Sequence, residues 1–263
     1  MEIQEIQQKI LHRYEKEGRD FPRRKTTDPY QIHLCEVMSQ QTQLSRVLPY
    51  RTKWLERFPN YESVANASKQ EILTYRSGLG FNRRGLNFRE CAKKVCSDFH
   101  GKLPLDREKL LQLPGIGAYT SAAICAFADN QPIPVIDTNI RRVLIFLFSF
   151  PESLSIAELE KKSKSLIPSW RSRDRHNALM DYGALILTPQ KTKIKSLSKQ
   201  SKFENSDRQV RGRIIKTLIK KGELMISEIQ SEFPLKKVDV ILQGLVKDGM
   251  IVYDERKIFF AKE

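Results

Sequence analysis

The chain has 263 residues, enough for one large or two smaller domains. Hydrophobic residues at 40% and charged residues at 29% exclude a disordered or fibrous chain, and no run approaches the ~20 apolar residues of a membrane span. Forty-six Lys and Arg against 31 Asp and Glu give a net charge of +15, so nucleic acid is the first partner to consider, ahead of a mere solubility charge.

The N-terminus, MEIQEIQQKILHRYEKEG, is charged throughout and reads as an amphipathic helix over 2–18, not a signal peptide. Apolar residues then recur at helical spacing over 30–43, 45–58, 82–99, 107–112, 120–128, 137–148, 155–165 and 174–187. Turn signals separate them: DFPRRKTTDP, FPN, SGLGFN, HGKLP, DNQPIP and PSWRSRD. No run before 188 alternates long enough for a strand, so residues 1–188 read as all-α. The four cysteines, Cys35, Cys91, Cys96 and Cys125, form no C-x-x-C pair. They read as buried small hydrophobes, not as disulfides or a zinc site.

Three stretches hold chemistry. In IHLCEVMSQQTQLSRVLPY, Glu36, Gln40 and Gln43 fall on one side of a helix. They make either a solvated polar stripe or a lining for a base pocket, with Glu36 as proton donor. In LQLPGIGAYTSAAI, Leu110, Leu111 and Leu113 would pack, Pro114 to Gly117 would turn, and Thr120 onward would start a new helix. This is either a plain αα-corner or a hairpin whose glycines and free N–H groups grip a phosphate. In VIDTNIRRVL, Asp137 sits at a helix start. It is either an N-cap or a carboxylate facing a cleft, with Arg141 and Arg142 close by.

Residues 189–205, PQKTKIKSLSKQSKFEN, are polar and basic and read as a linker or an arm along phosphates. A second unit follows over 206–263. Three helices, the first with Ser206 as N-cap and the third ending near Gly249, precede IVYDERKIFF, which reads as two strands around a turn. That is the order of a winged helix, a fold that serves DNA or protein docking.

TTDPYQIHLCEVMSQQTQLSRVLPYRTKWLERFP, SGLGFNRRGLNF, LPGIGAYTSAAI and VIDTNIRRVL, in that order over residues 10–188, resemble the MutY-type adenine DNA glycosylases of the helix-hairpin-helix superfamily, which also contains endonuclease III. The resemblance implies an all-α fold in which two helical subdomains flank a DNA cleft. It implies hydrolysis of an N-glycosidic bond in a flipped-out nucleotide, in base excision repair. Glu36 would protonate the leaving adenine, Asp137 would stabilise the sugar cation, and Asn139 would support that site. Tyr119 completes the catalytic set. Gln41 and Phe81 would enter the duplex, and Gln40, Asn82, Arg83, Leu113, Pro114, Gly115, Gly117 and Thr120 would line the DNA contact. The expected partner is double-stranded DNA with a mismatched or damaged base. The protein would be a cytoplasmic monomer with no membrane partner and no cofactor.

Four departures qualify the resemblance. Tyr119 stands where endonuclease III-like enzymes carry the lysine that forms a Schiff base, so strand cleavage is not expected. Cysteines for a [4Fe–4S] cluster are missing from LMDYGALILTPQKTKIKSLSKQSKF, so no cluster is expected. Residues 206–263 are too few for the Nudix-like domain that reads 8-oxoguanine, which leaves the opposite base open between guanine and 8-oxoguanine. Arg23 in FPRR occupies a position where relatives often have tryptophan, and GFNRRG replaces the more usual GYYxRA. Two alternatives stand beside adenine removal. One is a glycosylase for thymine or uracil opposite guanine, or for another deaminated base such as hypoxanthine. The other is a non-catalytic DNA-binding protein.

Overall fold

The computed structural model describes residues 3–166, 171–197 and 202–262. Helices dominate. In chain order they are α1 (Ile3–Glu17), α2 (Pro29–Ser39), α3 (Leu44–Arg57), α4 (Tyr61–Ala65), α5 (Lys69–Arg76), α6 (Asn82–Phe99), α7 (Arg107–Leu111), α8 (Ala118–Ala128), α9 (Thr138–Leu147), α10 (Ile156–Ser163), α11 (Ser172–Asp181), α12 (Pro189–Thr192), α13 (Asp207–Lys221), α14 (Ile226–Glu232) and α15 (Val238–Lys247). Three short strands, β1 (Glu223–Met225), β2 (Ile251–Tyr253) and β3 (Lys257–Phe260), form one antiparallel sheet in the order β1-β3-β2. No described helix is long and apolar enough to cross a membrane.

The contacts divide the chain into two compact units, each assembled from separated stretches. The first joins Met1–Glu36 with Leu103–Lys199, and the second joins Val37–Lys102 with Gln200–Glu263. In the first unit α1 packs on α11, α7 on α8, and α9 on both α11 and α12. Its core includes Ile10, Ile32, Leu34, Leu110, Ile124, Phe127, Val143 and Leu144, all nearly inaccessible. Burying each large apolar side chain contributes about 1.5–3 kcal/mol.

In the second unit α4 and α5 pack on α6 around an aromatic cluster. Trp54 meets Phe58 at 4.8 Å and Phe88 edge-on at 5.8 Å between ring centroids. Helix α13 lies on α5 as well as on α15 and β1. Asp248, just past α15, pairs with Arg211 of α13 and, at 3.1 Å, with Arg83 of α6. Helix α15 ends in a Schellman motif: Met250 N–H reaches the Leu245 carbonyl and Gly249 N–H the Val246 carbonyl, with Gly249 left-handed at φ 66°.

Several sequence expectations need correction. Helices α4 and α5 fall in a stretch where none was expected. Their signals are N-caps: Asn60 accepts from Ser63 N–H in a capping box, and Ser68 accepts from Glu71 N–H. Helix α2 stops at Ser39 instead of running to 43, because Gln41 adopts a left-handed conformation at φ 59°. The helix expected over 174–187 ends at Asp181 and widens into a π turn, Tyr182–Ile186. Leu111 does not pack and is 46% exposed. Cys96 is only half-buried, unlike the other three cysteines.

The beginning of the stretch read as a linker is folded: Pro189–Thr192 is helical and Ile194 is buried. Buried Arg141 holds it down, donating from Nη1 to the Lys195 carbonyl at 3.0 Å and from Nη2 to the Glu152 carbonyl at 2.8 Å. Residues 198–201 of that stretch, and 168–170 of the turn signal PSWRSRD, lie outside the described residues. Strand β1 was not expected. It pairs with β3, Leu224 opposite Ile258, which makes the hairpin a three-stranded sheet. Ser206 stands at the N-cap position of α13, but its hydroxyl donates to the Phe203 carbonyl instead of capping.

Candidate active site

The sequence LPGIGAYT makes a turn in which the two glycines do different things. Gly115 has φ +79°, the left-handed region that glycine alone enters cheaply. Gly117 is extended, at φ −98° and ψ −175°, and a Cβ built there would meet nothing within 4 Å. The packing around Gly117 would therefore accept a side chain. Leu113 and Ile116 are buried and anchor the turn, and Pro114 lies at its edge. Helix α8 starts at Ala118, two residues earlier than expected, which puts Tyr119 and buried Thr120 in its first turn.

Tyr119 donates its hydroxyl to Glu36 Oε2 at 3.0 Å, bringing α8 and α2 together at the acid. Burial first, then the carboxylates of Glu36 and Asp137, push the Tyr119 hydroxyl well above its ordinary pKa. It therefore stays a donor at any working pH. Glu36 is 6% exposed, so it is not part of a solvated stripe. Its other oxygen, Oε1, faces Arg23 Nη1 at 3.5 Å, a charge contact rather than a hydrogen bond.

Asp137 is the N-cap of α9, accepting from Ile140 N–H at 2.6 Å, and its charge is felt at Tyr119. Its second oxygen accepts from Asn139 Nδ2 at 3.0 Å, and the side-chain Oδ1 of Asn139 in turn accepts from Arg142. Burial pushes the Asp137 carboxyl above its ordinary pKa, against the opposing pull of the Ile140 and Asn139 hydrogen bonds.

Sequence reasoning missed the support beneath this cluster. The π turn brings Gly183 against Asn139, where an added Cβ would lie 2.6 Å from the Asn139 carbonyl oxygen. Gly183→Ala is expected to cost about 1–3 kcal/mol by overpacking and to slow base release by displacing Asn139. A thermal melt read alongside the release rate checks both effects. Asp181 also went unnoticed. Arg24 donates to both of its oxygens at 2.7 Å, and Arg19 donates to it through Nε at 2.6 Å and its backbone N–H at 2.9 Å. This clamp ties the short 3-10 turn Pro22–Lys25 to α11 and so fixes Arg23. The arginine-rich FPRR was the available signal, but its partners are far away in sequence.

The remaining candidates lie in the second unit. Gln41 and Phe81 both have left-handed backbones, φ 59° and 50°, a strained choice for residues with side chains. Arg84 stacks its guanidinium 3.9 Å from the Phe81 ring centroid and donates to the Gln40 carbonyl at 2.6 Å, so one side chain braces both loops. Phe81 stands at the N-cap of α6, with Asn82 as its first residue, and Arg83 is engaged with Asp248. Glu36, Asp137, Leu113–Thr120 and Asn139 thus belong to one unit, and Gln40, Gln41, Phe81, Asn82 and Arg83 to the other.

An iron–sulfur cluster, which the family resemblance brings to mind, does not fit the donors present. The stretch 182–197 contains no cysteine, and the four cysteines are divided between the two units. Burial pushes the Cys91 and Cys125 thiols up to about 12 and about 11, away from thiolate chemistry.

The model of the HhH-GPD superfamily of base excision DNA repair proteins matches residues 34–169. The chain is 33% identical to an adenine DNA glycosylase of Mycolicibacterium smegmatis over 92% of this chain and 91% of that protein. It is 34% identical to the human adenine DNA glycosylase over 72% of this chain but only 37% of the human one, so it spans well under half of that relative. Among solved structures, a thermostable thymine-DNA glycosylase superposes with a TM-score of 0.69 at 30% identity, covering 72% of this chain and 89% of that one. An endonuclease III in a non-covalent DNA complex shares the fold, with a TM-score of 0.63 at 19% identity over 76% of this chain and 91% of that one. The chain belongs to the HhH-GPD superfamily of base excision DNA repair proteins.

Proposed function

We propose that the chain is a monofunctional DNA glycosylase that removes a mispaired adenine, opposite guanine or 8-oxoguanine, from double-stranded DNA. The observation that carries this reading is the Tyr119–Glu36 hydrogen bond, with the charge of Asp137 felt at Tyr119, in a chain similar, over nearly its whole length, to an adenine DNA glycosylase. Glu36 donates a proton to the departing base, and Tyr119 orients it. Asp137 faces the sugar with a negative charge as the C1′–N9 bond breaks, and water then adds to C1′. Both groups act on charge that is larger in the transition state than in the ground state. The Gly115–Gly117 turn, with Leu113, Pro114 and Thr120, grips a backbone phosphate. Gln41 and Phe81 enter the duplex, with Gln40, Asn82 and Arg83 beside them.

Tyr119 has no amine with which to attack C1′, so no Schiff base forms. Borohydride added during a reaction on abasic DNA is expected to trap no covalent adduct, and an adduct would show lyase chemistry. The function itself is tested by single-turnover base release from duplexes that carry adenine, thymine or uracil opposite guanine, and adenine opposite 8-oxoguanine. Fastest release of adenine supports the reading. Fastest release of thymine would replace it with the reading that the 0.69 TM-score to a thymine-DNA glycosylase favours. Release from none of them would leave a DNA-binding protein.

A further inference from the structure

Arg175, on α11, is a buried cation, 1% exposed. Its three guanidinium nitrogens, Nε, Nη1 and Nη2, are all shut off from solvent, and none has a hydrogen-bond acceptor among the described residues. By contrast, buried Arg141 donates to two backbone carbonyls, and the buried side chain of Arg24 to both oxygens of Asp181. Burial pulls the Arg175 guanidinium down to about 10, so it still carries its charge at neutral pH. A buried charge with neither a partner nor solvent is a cost that folded proteins avoid.

The guanidinium lines a small cavity in the first unit. Ile136, Ile140, Leu144, Leu166 and Leu179 supply its apolar wall, and no carboxylate lines it. Two further polar side chains reach it, and neither answers the charge. His176 has its Nδ1 at 2.7 Å from the Ser172 carbonyl, so that nitrogen carries the proton, and its Nε2 accepts from Val135 N–H at 3.0 Å. Both ring nitrogens are spent, and burial holds the ring neutral with a pKa of about 4. The Ser163 hydroxyl donates to the Glu160 carbonyl at 3.3 Å. The cavity volume of about 10 Å³ is room for one water-sized group. A water would accept a hydrogen bond but leave the charge unbalanced. A phosphate or a carboxylate is too large. A halide ion is an anion of about that size, and it accepts from several N–H groups at once.

We propose that this cavity is a halide site, in which the Arg175 guanidinium holds a chloride ion between α9 and α11. The site stands apart from the glycosylase reading. Ile136 immediately precedes Asp137, and Ile140 provides the N–H that Asp137 caps. The bound ion therefore braces the same first turn of α9 that the aspartate caps.

The test is thermal unfolding of the full chain at constant ionic strength, with chloride exchanged for gluconate, an anion too large for the cavity. Raising chloride ~30-fold is expected to lift the wild-type Tm by about 2–4 °C, because a ligand that binds only the folded state stabilises it. Bromide should act as chloride does. In Arg175→Met, which keeps an unbranched side chain but removes the charge, the Tm should not follow chloride. A wild-type Tm indifferent to chloride overturns the proposal. A chloride response that survives in Arg175→Met also overturns it, because the ion would then act on exposed lysines and arginines. Should Arg175→Met fail to fold, wild-type crystals grown in sodium bromide decide. An anomalous peak within hydrogen-bond reach of the Arg175 guanidinium supports the site, and bromide found only elsewhere overturns it. Base release is not read in this test, so its failure leaves the glycosylase reading standing.

Discussion

Asp137→Asn is expected to lower the rate of base release by about 10²–10³-fold, the usual loss when one preorganised electrostatic group is removed from a transition state. The helix cap should survive, while Asn139 Nδ2 loses the acceptor it has on the second carboxylate oxygen. Asparagine is as good an N-cap as aspartate, and its side-chain oxygen can still accept from Ile140 N–H. The charge is lost, and the cap is kept. DNA affinity should therefore hold within about twofold, because phosphate contacts dominate it. A filter-binding or anisotropy titration beside the release assay separates the two effects. Undiminished release in this variant would remove Asp137 from the chemistry. The same carboxyl sets an acid limb. Burial raises its pKa, so the anion is lost on acidification at a higher pH than an ordinary aspartate would show. Wild-type release should fall as pH drops through that value.

Glu36→Gln is the second large effect. Losing the proton donor is expected to cost about 10²–10⁴-fold in base release. Unlike the Asp137 change, it also disturbs the fold. Removing the carboxylate leaves Arg23 buried without its anion, and breaking a buried pair costs up to about 3–5 kcal/mol. The remaining contacts with Asn177, Phe127 and Met180 should soften that loss. The double variant Glu36→Gln with Arg23→Met removes both charges. Urea denaturation should find it more stable than the single Glu36→Gln variant, while base release stays lost. Recovery of stability without recovery of activity would assign the two losses to different causes. Recovery of both would mean that Glu36 had served only to neutralise Arg23.

What could be read in advance, and what could not, follows from where the information lies. Glu36, Asp137 and the glycine turn sit in short motifs whose chemistry depends on neighbours a few residues away, so their spacing alone was suggestive. Helices α4 and α5 are only five and eight residues long, too short for a periodic pattern to stand out. Helix α2 ends at Ser39 just ahead of the left-handed Gln41, and the helix expected over 174–187 gives way to a π turn where Gly183 meets Asn139. Both are tertiary effects that override local propensity. Arg23 was visible only as an odd residue in FPRR. Its partners Glu36, Phe127 and Asn177 come from three other helices, and no local pattern could have joined them.

The interleaved composition of the two units also bears on how the chain matures. A growing polypeptide has residues 37–102 long before residues 200–263, yet they form one unit. Until α13 arrives, α5 lacks the helix that packs on it, and Arg83 lacks Asp248. Contacts of such sequence separation form slowly and leave apolar surface uncovered in the meantime. The loop that carries Phe81 therefore belongs to the part of the molecule completed last. A nascent or C-terminally truncated chain would carry an assembled Glu36–Asp137 centre without the finished unit that holds Phe81.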